Sequence, residues 1–258
     1  MFPKISSFKS KKNKSKIVCL TAYSKNISQI IDNHTDLILV GDSLGSVLYN
    51  FKSTRSVSLD MMIEHSKSVR KGISNSLMVV DMPFNTYNNP TQALKNCKKV
   101  MKLTKCDGVK LEGGLKIIKI IKLLVKNKIP VMGHLGILPQ FTKGLFKSKG
   151  KSLKEKKEII RDSKLLEEAG VFSIVLECVK KNLAKEITKL ISIPTIGIGS
   201  SVNCDGQILV TDDILGLTDS KIKFVKKFVN IKKAISSGVK KFKKEVKLKK
   251  YPTKKYSY

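Results

Sequence analysis

The chain of 258 residues has no tryptophan, only three arginines and five cysteines, and no long uninterrupted apolar run. Its most apolar window, 117–125, is interrupted by lysines, so no segment fits a membrane-spanning helix. The cysteines, at positions 19, 97, 106, 178 and 204, are odd in number, widely spaced and without a Cys-x-x-Cys pair. We therefore expect free thiols in a reducing cytoplasm, with neither a disulfide framework nor a zinc site.

Acidic residues are scarce as well, and the formal net charge of +31 would ordinarily suggest nucleic acid or an anionic membrane as a partner. A protein that follows a phosphate backbone concentrates its charge in one footprint. Here the lysines are spread over every predicted helix, and in 115–128 they form one solvated stripe opposite the apolar residues. We therefore predict no nucleic-acid partner and no membrane partner, and we attribute the excess of lysine over arginine to compositional drift. The lysines of that stripe are Lys116, Lys119, Lys122 and Lys126.

Aliphatic runs that end abruptly on polar residues recur along the chain. Residues 37–40 are continuously aliphatic and are followed by Gly41-Asp42-Ser43, which is typical of a parallel strand that is covered on both faces. Similar runs end at Asp81, at Glu112 and at Glu177. With further strands predicted over 16–20, 129–134, 193–199 and 207–210, the chain has eight strand segments.

Helical patterns alternate with these strands, which predicts an α/β fold with a single (β/α)8 TIM barrel. The length suits one such domain over 1–258, with a short N-terminal helix and a basic C-terminal tail. A lysine- and glycine-containing loop is predicted over 140–150. Helices are predicted over 28–33, 59–72, 91–104, 115–128, 152–169, closed by Gly170, 182–190 and 222–245.

Polar residues at the ends of different strands converge at the mouth of such a barrel. The carboxylates of Asp42, Asp81 and Glu112 would repel one another there unless they shared a cation. An all-oxygen ligand set without a cysteine or histidine cluster favours Mg²⁺. Lys110 lies two residues before Glu112 and so faces the same side of its strand, as a cation for a substrate carboxylate or a developing oxyanion. His134 and Glu177 reach the same mouth.

Each of these residues also has a purely structural interpretation. An aspartate after a strand is often a turn former or a helix N-cap, which fits Asp42, and Asp81 precedes Met-Pro in a way that fits an Asx-turn. Lys110 could extend to solvent. His134 could be a hydrogen-bonded structural residue. Glu177 is the hardest to dismiss, because it follows five residues with scarcely a polar atom.

Nine short motifs resemble, in order and at nearly the same spacing, those of the ketopantoate hydroxymethyltransferase family. The resemblance covers about 5–258, and nine ordered motifs are far more specific than any one of them. The motifs are Thr21-Ala22-Tyr23, Gly41-Asp42-Ser43-Leu44-Gly45, Asp81-Met82-Pro83-Phe84, Val109-Lys110-Leu111-Glu112-Gly113-Gly114, Gly133-His134-Leu135-Gly136, Leu138-Pro139-Gln140, Val175-Leu176-Glu177, Ile193-Pro194-Thr195-Ile196-Gly197-Ile198-Gly199 and Cys204-Asp205-Gly206-Gln207.

This resemblance implies a barrel of the phosphoenolpyruvate/pyruvate superfamily in a large homo-oligomer, often a decamer. The implied activity is transfer of a hydroxymethyl group from 5,10-methylenetetrahydrofolate to 3-methyl-2-oxobutanoate, which gives ketopantoate for pantothenate and coenzyme A. It further implies that Asp42 and Asp81 bind Mg²⁺, that Glu112 reaches the metal through water, that Ser43 and Lys110 hold the substrate carboxylate, and that Glu177 is the general base.

Two other classes of function stay open at this point. One is a different barrel enzyme of the same superfamily, a Mg²⁺-dependent C–C lyase or mutase acting on a 2-oxo acid. The other is a basic, non-enzymatic barrel that binds RNA or membranes, which retention on heparin without turnover would support.

Overall fold

A closed barrel of eight parallel strands is the centre of the computed structural model, which describes residues 3–142 and 147–258. The strands pair in sequence order, and β8 pairs with β1 to close the barrel. This confirms the predicted fold class. The strands are β1 (Ile17–Thr21), β2 (Leu37–Val40), β3 (Leu77–Asp81), β4 (Gly108–Glu112), β5 (Val131–Gly136), β6 (Ser173–Glu177), β7 (Thr195–Ile198) and β8 (Gly206–Leu209).

Helices follow the strands along the chain, as a β/α barrel requires. Short 3-10 turns lie at Asp32–His34, Thr54–Ser56, Leu115–Ile117 and Lys254–Tyr256. The helices are α1 (Pro3–Lys9), α2 (Lys25–Ile31), α3 (Leu44–Tyr49), α4 (Leu59–Arg70), α5 (Pro90–Thr104), α6 (Ile118–Lys126), α7 (Leu153–Glu168), α8 (Lys181–Leu190), α9 (Thr211–Ile214) and α10 (Ile231–Lys247).

Local signals in the sequence set several of the helix ends. The side chains of Ser58, Asn89 and Ser152 each accept a hydrogen bond from a backbone N–H in the first turn of α4, α5 and α7 respectively, at 3.2, 2.9 and 3.1 Å. Gly170 follows α7 with φ +94°, which confirms its predicted place at the helix end. The four lysines of the predicted stripe around α6 are exposed, as expected.

β2 to β6 bury both faces, whereas β1 and β8 expose Val18 and Gln207 on their outer faces. The alternating side chains of the strands divide into two apolar clusters. One cluster packs the outward-facing residues of the barrel, such as Ile38 and Val109, against the helices. The other fills the barrel interior and includes Leu39, Val79 and Met132. Phe8 of α1 joins this second cluster, so the lower part of the barrel is packed with side chains. The open end is therefore the one where the strands finish, as in other barrels.

A buried ion pair lies near the start of β8, beside the segment that follows α1. Lys12 Nζ is 2.8 Å from Asp205 Oδ2, with side-chain exposures of 9% and 5%. The same Asp205 oxygen accepts hydrogen bonds from the backbone N–H and the hydroxyl of Thr195, at 2.8 and 3.1 Å. This pair fixes the N-terminal segment to the ends of β7 and β8 that lie opposite the mouth.

The chain divides into two compact units, Met1–Val210 with the barrel and Thr211–Tyr258 with α9 and α10. The single domain over 1–258 therefore stays a prediction. The helix predicted over 222–245 is wrong at its start, because α10 begins only at residue 231. The Asn230 side chain caps α10 by accepting from Lys233 N at 3.2 Å, and Phe228 N donates to Ile214 O at 2.8 Å, which holds the preceding segment beside α9.

Other predicted boundaries differ by one to three residues, and two short helices, α3 and α9, were not predicted. α3 follows Ser43 directly and ends at Asn50 in the left-handed conformation, φ +55°. β5 begins at residue 131 and not at 129. The predicted loop over 140–150 includes residues 143–146, which lie outside the described part of the chain.

Candidate active site

The strand phase brings the predicted polar residues to one place. Asp81, Lys110, Glu112, His134 and Glu177 alternate with residues of the outer cluster and therefore point into the barrel. In register, Asp81 is beside Lys110 and Glu112 is beside His134, so these residues lie at one level near the strand ends. The first four are between 2% and 5% exposed.

Lys110 is the cation at the centre of this group. Its Nζ lies 2.9 Å from Asp81 Oδ1 and 3.2 Å from His134 Nδ1. Burial alone would lower the pKa of Lys110, but the negative charges of Asp81, Glu112 and Asp42 outweigh it and raise that pKa. The ammonium is thus charged and buried, which excludes the alternative in which Lys110 extends to solvent.

His134 connects Lys110 to Glu177. An ammonium has no lone pair, so His134 Nδ1 must accept from Lys110, and the ring proton is assigned to Nε2. Nε2 lies 3.2 Å from Glu177 Oε2. Burial and then the charge of Lys110 lower the pKa of His134, so the imidazole is neutral. The neutral ring therefore lies between the ammonium of Lys110 and the carboxylate of Glu177, a place that the sequence alone left open.

Asp42 and Asp81 meet at the neighbouring side of the mouth. The backbone N–H of Asp42 donates to Asp81 Oδ2 at 3.1 Å. Burial, and then the negative charge of Asp81, raise the pKa of Asp42 to about 7. Burial also raises the pKa of Glu112 well above its ordinary value. A cation bound between these carboxyl groups would lower the free-energy cost of ionising them.

The donor set can be compared with what a metal would require. Within 3–142 and 147–258, no three histidine, cysteine or acidic side chains converge closely enough to hold a metal by themselves. Mg²⁺ does not need such a cage, because it keeps several waters and uses one or two carboxylates together with substrate oxygens. The buried oxygen pair of Asp42 and Asp81 fits that pattern, and it does not fit a closed zinc site.

Ser43 stands at the start of α3, beside these aspartates. Its hydroxyl is 2.8 Å from the Tyr23 hydroxyl. The α3 N-terminus has no side-chain cap, and Asp42 instead accepts a hydrogen bond from Gln140 Nε2 at 2.8 Å, which contradicts the N-cap interpretation of Asp42. A Cβ atom on Gly41 would lie 2.9 Å from the Ser43 hydroxyl, so a larger residue here would require that hydroxyl to move.

Sequence reasoning assigned no role to two residues that the structure places here. Gln140 is 1% exposed and contacts both Asp42 and Glu112, and Tyr87 contacts Gln140 in turn. Gln140 belongs to the Leu138-Pro139-Gln140 motif, so a signal was present. Tyr87 lies in a polar loop without any such signal.

Comparisons with known proteins agree with this geometry. The sequence model of the ketopantoate hydroxymethyltransferase family matches residues 3–254. The chain belongs to this family. A relative in Pelagibacter ubique (strain HTCC1062), named 3-methyl-2-oxobutanoate hydroxymethyltransferase, is 66% identical over the full length of both chains. A relative of the same name in Anaplasma marginale (strain St. Maries) is 46% identical over all of this chain and 94% of its own.

Solved structures share the fold of this family member at low identity. A putative phosphonomutase from Burkholderia cenocepacia J2315 superposes with a TM-score of 0.67 at 10% identity, over 93% of this chain and all of its own. A 2,3-dimethylmalate lyase, described as a member of the PEP mutase/isocitrate lyase superfamily, gives 0.62 at 11% identity, over 95% and 86%. At such identities the comparison establishes the barrel fold alone.

Two further findings concern the whole chain. All five cysteines are free thiols, and Cys178 is the one among them that is not fully buried. In the described part of the chain, no helix combines the length and the apolarity that crossing a bilayer requires.

Proposed function

We propose that this chain transfers a hydroxymethyl group from 5,10-methylenetetrahydrofolate to 3-methyl-2-oxobutanoate, giving ketopantoate as the first step toward pantothenate and coenzyme A. Membership of the family supports the reaction. The observation that carries the proposal is the buried row Lys110, His134 and Glu177 beside the Asp42–Asp81 pair. It puts a cation, a neutral imidazole and a carboxylate within one small volume.

We infer that Asp42 and Asp81 hold a Mg²⁺ ion directly and that Glu112 reaches it through water. Their buried oxygens and the raised pKa of Asp42 support this assignment. The bound ion would supply Lewis-acid polarisation of the keto group of the substrate. Without a cation, the three carboxyl groups share one buried ammonium, and the raised pKa values of Asp42 and Glu112 reflect the cost of ionising them together there.

The substrate carboxylate needs positive charge and hydrogen-bond donors. We assign this role to Lys110 and Ser43. Lys110 keeps its proton in the site and can donate to an oxyanion, and the hydroxyl of Ser43, held by Tyr23, supplies a second donor.

Glu177 is assigned as the general base. Its side chain is 15% exposed, against 3% for His134, so it lies nearest the opening among the residues of this row. His134 Nε2 lies 3.2 Å from Glu177 Oε2, so the imidazole is in direct contact with this carboxylate. Glu177 takes the proton from C3 of the substrate, and the C–H electrons pass into the developing enolate. C3 then bonds to the one-carbon unit, whose two C–N bonds to the folate break. Water supplies the hydroxyl oxygen of the product, and the proton from C3 and one proton from that water go to the two folate nitrogens, so tetrahydrofolate leaves.

We propose further that the protein acts in the cytoplasm as a homo-oligomer, of which a decamer is the form that the family resemblance implies. Exposed apolar side chains at helical spacing on α10 support association with other copies. They are Ile235, Val239, Phe242 and Val246.

Release of tetrahydrofolate in the presence of 3-methyl-2-oxobutanoate tests the proposed reaction. We expect release that depends on both the 2-oxo acid and Mg²⁺, and that stops when EDTA removes the metal. A matched assay would follow C–C cleavage of 2-oxo-acid aldols without folate. Cleavage without folate-dependent transfer would contradict the proposal and favour a lyase.

A further inference from the structure

Gln140 joins three of the strand ends that build the mouth of the barrel. Its Nε2 donates to Asp42 Oδ2 at 2.8 Å and to the carbonyl of Met82 at 3.0 Å. Its backbone N–H donates to Glu112 Oε2 at 3.1 Å. Asp42 follows β2, Met82 follows β3 and Glu112 ends β4. The side chain and the backbone N–H of Gln140 therefore connect the three strand ends that carry the acidic part of the site. All three partners are acceptors.

Tyr87 fixes the orientation of this amide. Its hydroxyl donates to Gln140 Oε1 at 2.5 Å. Burial raises the pKa of Tyr87, so the hydroxyl keeps its proton and remains a donor. A flipped amide would turn Oε1 toward Asp42 and the Met82 carbonyl, and it would turn the NH₂ group toward Tyr87. The flipped arrangement loses the hydrogen bonds to Asp42 and Met82 and sets Oε1 against two buried acceptors, which is costly, although the Tyr87 hydroxyl could accept from the NH₂ group.

We propose that Gln140, oriented by Tyr87, is the positioning residue that holds the carboxylates of Asp42 and Glu112 in the arrangement that receives the metal. The inference depends on the metal assignment made above. One oxygen of each carboxylate is bonded to Gln140, so the rotation of each is set before a cation arrives. Groups that orient metal ligands commonly change metal affinity by about 10- to 100-fold when they are removed.

A purely structural role would make a different prediction. Loss of buried hydrogen bonds would then lower the melting temperature without changing the affinity of the folded protein for a metal. Affinity for Mn²⁺, followed by the electron paramagnetic resonance signal of the free ion, separates the two roles. It needs no turnover, and Mn²⁺ takes the same hard oxygen ligands as Mg²⁺.

Two substitutions and their combination test the orienting chain. Gln140→Met keeps the volume and the backbone N–H but removes the amide, and we expect Mn²⁺ affinity to fall about 10- to 100-fold. Tyr87→Phe removes one hydroxyl, leaves the amide in place and is a mild change for the fold. We expect Tyr87→Phe to lower Mn²⁺ affinity by less than Gln140→Met does, because the Gln140 amide remains but is free to turn away from Asp42. The double variant should match Gln140→Met alone, since Tyr87 acts through Gln140.

Thr188→Val is the matched control. Thr188, on α8, is buried, and its hydroxyl bonds at 2.7 Å to that of Thr195 at the start of β7, the end of the strand opposite the mouth. The Thr188→Val variant should have a lower melting temperature than the parent and an unchanged affinity for Mn²⁺. Unchanged affinity in both Gln140→Met and Tyr87→Phe would overturn the inference, as would equal losses in the control. Additive losses in the double variant would overturn the orienting role of Tyr87. A parent protein that binds no Mn²⁺ would overturn the metal assignment itself, and this inference with it.

Discussion

The raised pKa of Asp42 makes the stability of the metal-free protein depend on pH in an unusual direction. In the unfolded chain this carboxyl ionises near 3.8, whereas in the folded protein its pKa is about 7. Between these values the folded state holds a proton that the unfolded state has released. The free energy of unfolding attributable to Asp42 therefore falls as the pH rises from about 4 to about 7, and it is constant outside that window.

The size of the effect follows from the shift. A rise of about 3 pKa units corresponds to about 4 kcal/mol, because each unit is worth about 1.4 kcal/mol. For a protein of this length, each kcal/mol changes the melting temperature by about 2–4 °C. Asp42→Asn cannot ionise, so this variant should be more stable than the parent above pH 7, by roughly 8–16 °C in melting temperature.

Differential scanning calorimetry of metal-free protein between pH 4 and 8 provides the measurement. The difference in melting temperature between Asp42→Asn and the parent should grow with pH across the window. Taking this difference at each pH removes the contribution of all other titrating groups. Asp60→Asn, at an exposed aspartate, should follow the parent at every pH. Saturating Mg²⁺ should raise the melting temperature of the parent most at pH 8, because the carboxylate ligands must be ionised to bind the metal. Parallel profiles for Asp42→Asn and the parent would refute the reasoning.

Four further substitutions test the site and the base of the barrel. Asp42→Ala and Asp81→Ala should each abolish Mg²⁺-dependent substrate binding measured by calorimetry, since each removes an oxygen ligand; unchanged Mg²⁺ dependence would exclude the assignment. Lys110→Ala should raise the KM for the 2-oxo acid by about 10- to 100-fold, and parental kinetics would mean that its ammonium does not contact substrate. Lys12→Met should cost about 3–5 kcal/mol of stability by leaving Asp205 buried without its partner, while kcat at a permissive temperature stays unchanged; a lower kcat would mean that this ion pair also affects the site.

Much of the site was predictable because strands have a period of two. Lys110 and Glu112 are two residues apart, so an inward-facing glutamate required an inward-facing lysine. The same rule placed Glu177 with Ser173 on the interior face of β6. Continuous aliphatic runs predicted strands that are covered on both faces, and the structure confirms this for β2, β3 and β4.

Contacts between distant loops could not be predicted in the same way. The hydrogen bond from Gln140 to Asp42 joins residues 98 positions apart, and although both lie in recognisable motifs, nothing in either motif indicates that they are partners. The tautomer of His134 depends on a lysine from another strand. The start of α10 was predicted wrongly for a different reason. Asn230, which caps the helix, was visible in the sequence, but the apolar spacing of 222–230 favoured a helix that begins earlier.

Exchange of the C3 proton of 3-methyl-2-oxobutanoate with solvent deuterium tests the central assignment most directly, because this half-reaction needs no folate. Glu177→Gln should bind Mg²⁺ and substrate as the parent does, yet lose exchange by about 10²- to 10⁴-fold, the usual contribution of a general base. Glu186→Gln, at an exposed glutamate of α8, should exchange at the parental rate. If Glu177→Gln also exchanges at the parental rate, Glu177 is not the base, and His134 takes its place as the candidate.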